Sequence, residues 1–170
     1  MIDSLRALLT ESALPNLHAA LVHFPVALLM VAPLFDLGCM VFRRRTWLDR
    51  AASSLYVIGT LGAGAAYLSG ERAADALGNI SPAVEAAVAD HHDLAFITLL
   101  AFVAITLLRL LVTWLARDDR RIRLGIFRLV ALPTALAGLL LLALTADHGG
   151  GLVYRHGVGV APDFRAAHDD

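Results

Sequence analysis

Lysine is absent from this 170-residue chain: all 14 basic residues are arginine. We read that as composition bias of the genome rather than as chemistry. With 15 acidic residues the net charge is −1, so no strongly charged partner is implied and a nucleic-acid binder is excluded. Cysteine occurs once, as Cys39 within an apolar run, so no disulfide framework can form inside one chain. Cys39 reads as a small core hydrophobe. C-x-x-C-H and C-x-x-C are both missing. That excludes covalent haem attachment by that motif and cysteine-paired zinc or iron–sulfur sites. No P-loop, nucleophile constellation or paired-carboxylate site occurs, which argues for binding or electron transfer rather than hydrolysis.

Charge of either sign is missing over long stretches. No Asp, Glu or Arg occurs from Ser12 to Phe35, from Ala51 to Gly70, from Leu94 to Leu108, or from Leu129 to Ala146. A further uncharged run, Leu110 to Ala116, follows Arg109. About 20 such residues, wound as a helix, cross the roughly 30 Å hydrocarbon core of a bilayer. The composition agrees: 58% of residues are apolar, 17% are charged, and mean hydropathy is +0.69. These figures exclude an ordinary soluble enzyme and a disordered chain. They predict an all-α fold, a four-helix transmembrane bundle running up-down-up-down.

The first span covers about 17–42 and holds Pro25 and Pro33. It is longer than a signal-peptide core and ends at Arg43-Arg44-Arg45, a stop-transfer pattern, so it reads as a true span. Residues 1–16 form an interfacial N-terminal segment, with at most a short amphipathic helix over 3–13. The second span covers about 51–69, with Gly59, Gly62, Ala63, Ala66 and Gly70 as a small-residue packing face. Ser81 and Pro82 read as N-cap and first position of a helix that runs into span three, about 93–116. Span four covers about 124–146. Gly149-Gly150-Gly151 then predict a break, leaving 147–170 as a Gly-rich outer tail. The membrane domain is thus 17–146.

Arginine counts orient the chain. Arg43, Arg44, Arg45 and Arg50 crowd one short loop; Arg117, Arg120, Arg121 and Arg123 crowd the other. Both loops are expected to be cytoplasmic, with both termini and the 71–92 segment outside. The expected location is the bacterial cytoplasmic (inner) membrane, with N- and C-termini on the periplasmic side.

In this topology all seven histidines fall on the outer side. His18 and His23 begin span one, His91 and His92 begin span three, and His148 ends span four. Three helices therefore bring imidazoles to one depth, and imidazole suits haem iron, copper and zinc. Asp36 and Arg109 lie deeper, about two turns from the inner surface, where an unpaired charge is expensive. The step from His18 to Asp36 equals the step from His91 to Arg109, and at 3.6 residues per turn each is a whole number of turns. Each pair therefore shares a helix face. In an up-down-up-down bundle, spans one and three lie diagonally. Asp36 then meets Arg109 as a structural ion pair, and His18 meets His91. A weak internal symmetry also appears, each half having outer histidines, an Arg-rich inner turn and a second span ending in small or polar residues.

Two stretches carry a family likeness. Residues 18–28, HAALVHFPVAL, look like the opening H-P-x-L-V-H-F-P-x-A-L of a bacterial transmembrane family, domain of unknown function 2231. Residues 149–160, GGGLVYRHGVGV, resemble its closing segment. Ala19 stands where the family often has proline. The resemblance implies a four-span protein whose outer histidines and Gly-rich tail are features of a type; it supplies no activity.

From the residues, the leading expectation is a haem b-binding, cytochrome-like electron-transfer module with its histidine cluster at the outer face. Helical phase favours His18 with His91. Depth and the family motif favour His23, ranked first with His92 or His91, with His148 as the alternative partner. Gly149, Gly150, Tyr154 and Arg155 are expected to approach a ligand, the last two through a carboxylate such as a haem propionate. The alternatives are a copper- or zinc-binding protein using His23, His91, His92 and His148, with Asp90, Asp93 or Asp147, and a non-catalytic partner subunit of a membrane redox complex. The expected partners are the lipid bilayer and a periplasmic redox partner or membrane redox complex, and a homo-oligomer is also compatible.

Overall fold

A computed structural model of the chain describes residues 14–42, 46–115, 125, 129–130 and 132–160. The expected interfacial helix over 3–13, the Arg43–Arg45 and 117–123 turns, and the start of span four lie outside the described residues. Four helices follow in chain order: α1 (Leu14–Val41), α2 (Thr46–Asp75), α3 (Pro82–Leu115) and α4 (Leu132–Tyr154). Among the described residues there is no strand. Each helix is long and apolar enough to cross a membrane. Large apolar side chains point outward along all of them, for example Leu34, Leu61, Trp114 and Leu140, each more than 60% exposed. In water such a surface would be a liability; against lipid it is the expected outer face.

α1 packs most extensively on α2, α3 packs on α4 and α2, and α1 closes the ring against α4. α1 and α3 thus lie diagonally. Leu29, Ala32, Tyr56, Phe102, Ile105 and Leu142 form the buried centre. Pro25 and Pro33 sit inside α1 without ending it, both buried. The Pro25 ring fills the hollow over Gly62 of α2. Hydroxyls bind helix to helix: Thr60 Oγ1 and Thr106 Oγ1 are 2.8 Å apart, and Thr98 Oγ1 and Thr145 Oγ1 are 2.7 Å apart.

The turn between α2 and α3 follows the sequence signals. Gly78 takes a positive φ of 64°. The Val84 amide lies 3.4 Å from Ser81 Oγ and the Glu85 amide donates to the Ser81 carbonyl, with Pro82 first in the helix.

The expected break at Gly149–Gly151 does not occur: α4 runs through all three glycines to Tyr154. Glycine weakens a helix in water partly by exposing backbone to solvent. Where lipid replaces water, an unpaired peptide group costs more than the lost propensity, so the helix continues. The stop comes at Gly157. It adopts φ 62°, its amide donates to the Val153 carbonyl, and the Val158 amide donates to the Leu152 carbonyl. The bond from Gly157 to Val153 is that of an αL C-cap, with glycine in its left-handed position.

The internal symmetry has a definite register. A step of 73 residues carries Asp36 to Arg109, and likewise His18 to His91 and Leu29 to Phe102. In the second helix of each pair, Gly59 corresponds to Gly138 and Gly70 to Gly149. The equivalences are matched by contacts. A Cβ on Gly59 would lie 2.7 Å from the Leu29 side chain of the preceding helix. A Cβ on Gly138 would lie 2.7 Å from Ile105 and 3.3 Å from Phe102 of its own preceding helix. At these positions the two helical pairs are matched in sequence register and in packing.

Candidate functional site

Two polar sites lie on the central axis, one toward each end of the bundle. At the end nearer the α1–α2 turn, Arg109 is 2% exposed. Its Nε and Nη2 donate to Asp36 Oδ1 at 3.0 and 2.8 Å. Nη2 also lies 3.3 Å from Asp49 Oδ1 and from the Asp49 carbonyl. Nη1 donates to Ser53 Oγ and, at 3.4 Å, to Thr113 Oγ1. The guanidinium carbon is 5.8 Å from the centroid of the Tyr56 ring. The guanidinium thereby joins α1, α2 and α3. A carboxylate and an arginine buried in this way are held by mutual hydrogen bonding rather than by solvent.

At the opposite end the histidines divide into two kinds. His18 and His91 turn inward. Each ring lies against a glycine of the helix that follows its own. A Cβ on Gly70 would lie 3.0 Å from His18 Cε1, and one on Gly149 would lie 3.0 Å from His91 Cε1. The two rings therefore occupy equivalent cradles. Each also feels an equivalent backbone carbonyl, Ala66 for His18 and Thr145 for His91. His18 Nδ1 is 3.0 Å from Ser69 Oγ, which itself donates to the Ala66 carbonyl at 2.8 Å. His91 Nδ1 is buried and makes no hydrogen bond of ordinary geometry.

The remaining candidates turn elsewhere. His23 is exposed, with Nδ1 2.6 Å from the Ala19 carbonyl of its own helix. The step from His18 to His23 is roughly 140° of rotation about the helix, so the added depth that favoured His23 places it on the outward face. His148 is also exposed, its Nδ1 2.9 Å from the Leu144 carbonyl of α4. His92 faces α2: its Nε2 is 2.7 Å from the Tyr67 hydroxyl and 3.7 Å from Glu71, while Nδ1 lies 3.7 Å from Asp93. Tyr154 is 91% exposed and Arg155 is exposed, both outside the His18–His91 space. Gly149 is part of the cradle; Gly150 touches only the Tyr154 ring. Among the described residues, no group of three or more His, Cys, Asp or Glu side chains could hold a metal ion.

Sequence reasoning missed Ser69 as a site residue and read Gly70 only as part of a packing face. A signal existed: the step from Gly59 to Gly70 equals that from Gly138 to Gly149, about three helical turns, so each glycine pair marks one packing face.

No curated protein and no solved structure matches the chain. A family model does, over residues 14–162, a range that takes in all four helices, both axial sites and the glycine cap of α4. The chain belongs to DUF2231, a family of predicted membrane proteins of unknown function.

Proposed function

We propose that this protein is a small membrane cytochrome that holds one b-type haem between His18 and His91 and passes electrons at the outer face of the bacterial cytoplasmic membrane. The carrying observation is the matched pair of imidazoles, each laid on a glycine of the helix that follows its own. A six-coordinate haem needs one donor on each face of the iron and nothing more from the protein. Copper and zinc sites need three or four donors converging on one point. The two inward histidines supply the first requirement, and the described residues offer no set for the second. The small residues Gly70 and Gly149 let each ring lie directly on the helix that follows its own. Arginine placement supports an outer location for this end, since the Arg-rich connections join the helices at the other. Between the two axial sites runs a packed core of Leu29, Phe102 and Ile105.

The test is an absorption spectrum of protein expressed with ample haem. A Soret band is expected. His18→Ala and His91→Ala should each abolish it or convert it to a five-coordinate form, while His23→Ala, His92→Ala and His148→Ala should keep it. A folded, monodisperse and colourless protein would remove this reading. Orientation is checked separately: engineered cysteines at Ala87 and Ala166 should react with an impermeant reagent in intact cells, and one at Asp118 should not.

A further inference from the structure

Where α2 and α3 approach their connecting turn they flank a cleft of about 560 Å³, a volume usual for small-ligand sites. Glu71, Arg72 and Asp75 of α2 and Glu85 of α3 supply its charges, beside His92; Leu68 and Val88 are part of its apolar wall. The two helices are tied at this level by Tyr67. Its hydroxyl is 2.7 Å from His92 Nε2, and its ring lies 4.9 Å from the His92 ring and 5.8 Å from the Phe96 ring, centroid to centroid. The cleft therefore lies between helices held to one another. Its charges are unbalanced, three carboxylates to one guanidinium. They are also largely unspent: among the described residues Arg72, Asp75 and Glu85 make no ion pair and no side-chain hydrogen bond, while Glu71 lies 3.7 Å from His92. Polarity changes sharply along the same faces. On α2, Leu61, Leu68 and Asp75 follow one another at steps of two turns, and both leucines are exposed. On α3, Glu85, His92 and Phe96 share a face, and Phe96 is exposed. Charge at the end of the helices thus gives way to apolar surface within the span, and the groove is amphipathic along its length.

We propose that this groove binds one phospholipid whose headgroup carries both a phosphate and a free ammonium. The phosphate pairs with Arg72, whose planar fork matches phosphate oxygens. The ammonium, with three N–H donors, lies among Glu71, Asp75 and Glu85. The acyl chains run over Leu68 and Leu61 of α2 and Phe96 of α3. A headgroup with a phosphate and no cation would bring its charge against three carboxylates. A trimethylated ammonium would match the charge and offer no donors. The groove therefore selects a primary amine on a phosphate. This assignment is independent of the haem reading and of which side of the membrane the cleft faces.

The test is native mass spectrometry of the full chain released from bilayers of equal parts dioleoyl phosphatidylethanolamine, phosphatidylcholine and phosphatidylglycerol. Wild type should keep one phosphatidylethanolamine, enriched about tenfold over either of the others, the weight of one hydrogen bond to a charged group. Arg72→Gln should lower retention of all three lipids. Asp75→Asn with Glu85→Gln should keep a lipid and lose the preference for ethanolamine over choline. The three side chains are exposed, so thermal melts of the variants in detergent should match wild type and separate lost binding from lost fold. Equal retention of the three lipids by wild type overturns the proposal. So does an Arg72→Gln protein that retains lipid as wild type does, or a double variant that still prefers ethanolamine. A mass of two chains carrying no lipid would make a second copy the occupant of the groove and overturns it as well.

Discussion

Where α1 has Pro25 and Pro33, the equivalent positions of α3 hold Thr98 and Thr106. The first helical pair closes by shape: Pro25 sits on Gly62, and Leu29 on Gly59. The second is tied by hydroxyls: Thr98 reaches Thr145 of α4, and Thr106 reaches back to Thr60 of α2. In both pairs a glycine lies under a side chain of the preceding helix that a Cβ would strike at 2.7 Å. The halves differ most where they meet. A residue near the axis faces its own equivalent, so a dimer of identical helical pairs would oppose two aspartates or two arginines. Joining the pairs in one chain lets the equivalents diverge, and Asp36 opposes Arg109. The backbone symmetry is therefore kept while the chemistry on the axis is made complementary at one end and unequal at the other.

The largest effect is expected where the halves differ in charge. Asp36→Asn leaves Arg109 with a buried charge matched only from α2, and should cost about 3–5 kcal/mol, the range for breaking a buried pair. Arg109→Gln in the same protein should recover part of it. Exchange of the two residues, Asp36→Arg with Arg109→Asp, should recover part as well if the axis is what matters. Thermal melts in detergent read all three. A double variant as unstable as the sum of the singles would show that the residues act independently and that the axis is only geometric.

A sharper comparison comes from matched glycines. Gly59→Ala and Gly138→Ala overfill equivalent contacts, so each should lose about 1–3 kcal/mol, the scale for overpacking. Gly64→Ala, whose added methyl meets nothing nearby, should be neutral or gain up to about 1 kcal/mol from helix propensity. If only one of the paired substitutions destabilises, the second half has relaxed away from the register of the first.

Smallest are the hydroxyl ties. Thr98→Val and Thr106→Val should each cost about 0.6 kcal/mol in the same melts, the mean for interhelical hydrogen bonds in membrane proteins. The equivalent prolines offer no matching loss of a hydroxyl. A loss several times larger at Thr98 would mean that the second pair depends on this bond as the first depends on shape.

Much of this architecture is legible in the chain alone. Four uncharged runs become four helices because hydrocarbon tolerates little else, and Ser81-Pro82 marks the start of α3 because a cap must satisfy free amides. The matched spacing from His18 to Asp36 and from His91 to Arg109 survives two prolines in α1, and both pairs do share a face. What cannot be read is rotation about the helix axis at a chosen depth. His23 and His18 have equal chemistry, and only packing against α2 decides that one faces a glycine and the other faces out. The glycines of α4 mislead for a related reason. Their meaning depends on the solvent around them, and a rule learned in water assigns them to a break. Ser69 carries no local signal, because a serine near a helix end is ordinary until its partner across the bundle is known.

The ion pair has a consequence in time as well as in space. Asp36 and Arg109 are 73 residues apart in the chain. At about 5–20 residues per second, the usual pace of synthesis, the arginine emerges roughly 4–15 s after the aspartate. During that interval α1 is already delivered to the membrane with a carboxyl group whose partner has not been made. α2 arrives next and brings Tyr56 toward that carboxyl, but also the second carboxylate of Asp49. The half-built protein therefore holds its most polar group toward lipid or toward the insertion machinery, and only α3 draws it to the axis. Completion of the third helix, rather than of the first hairpin, is the step at which this bundle commits to its final arrangement.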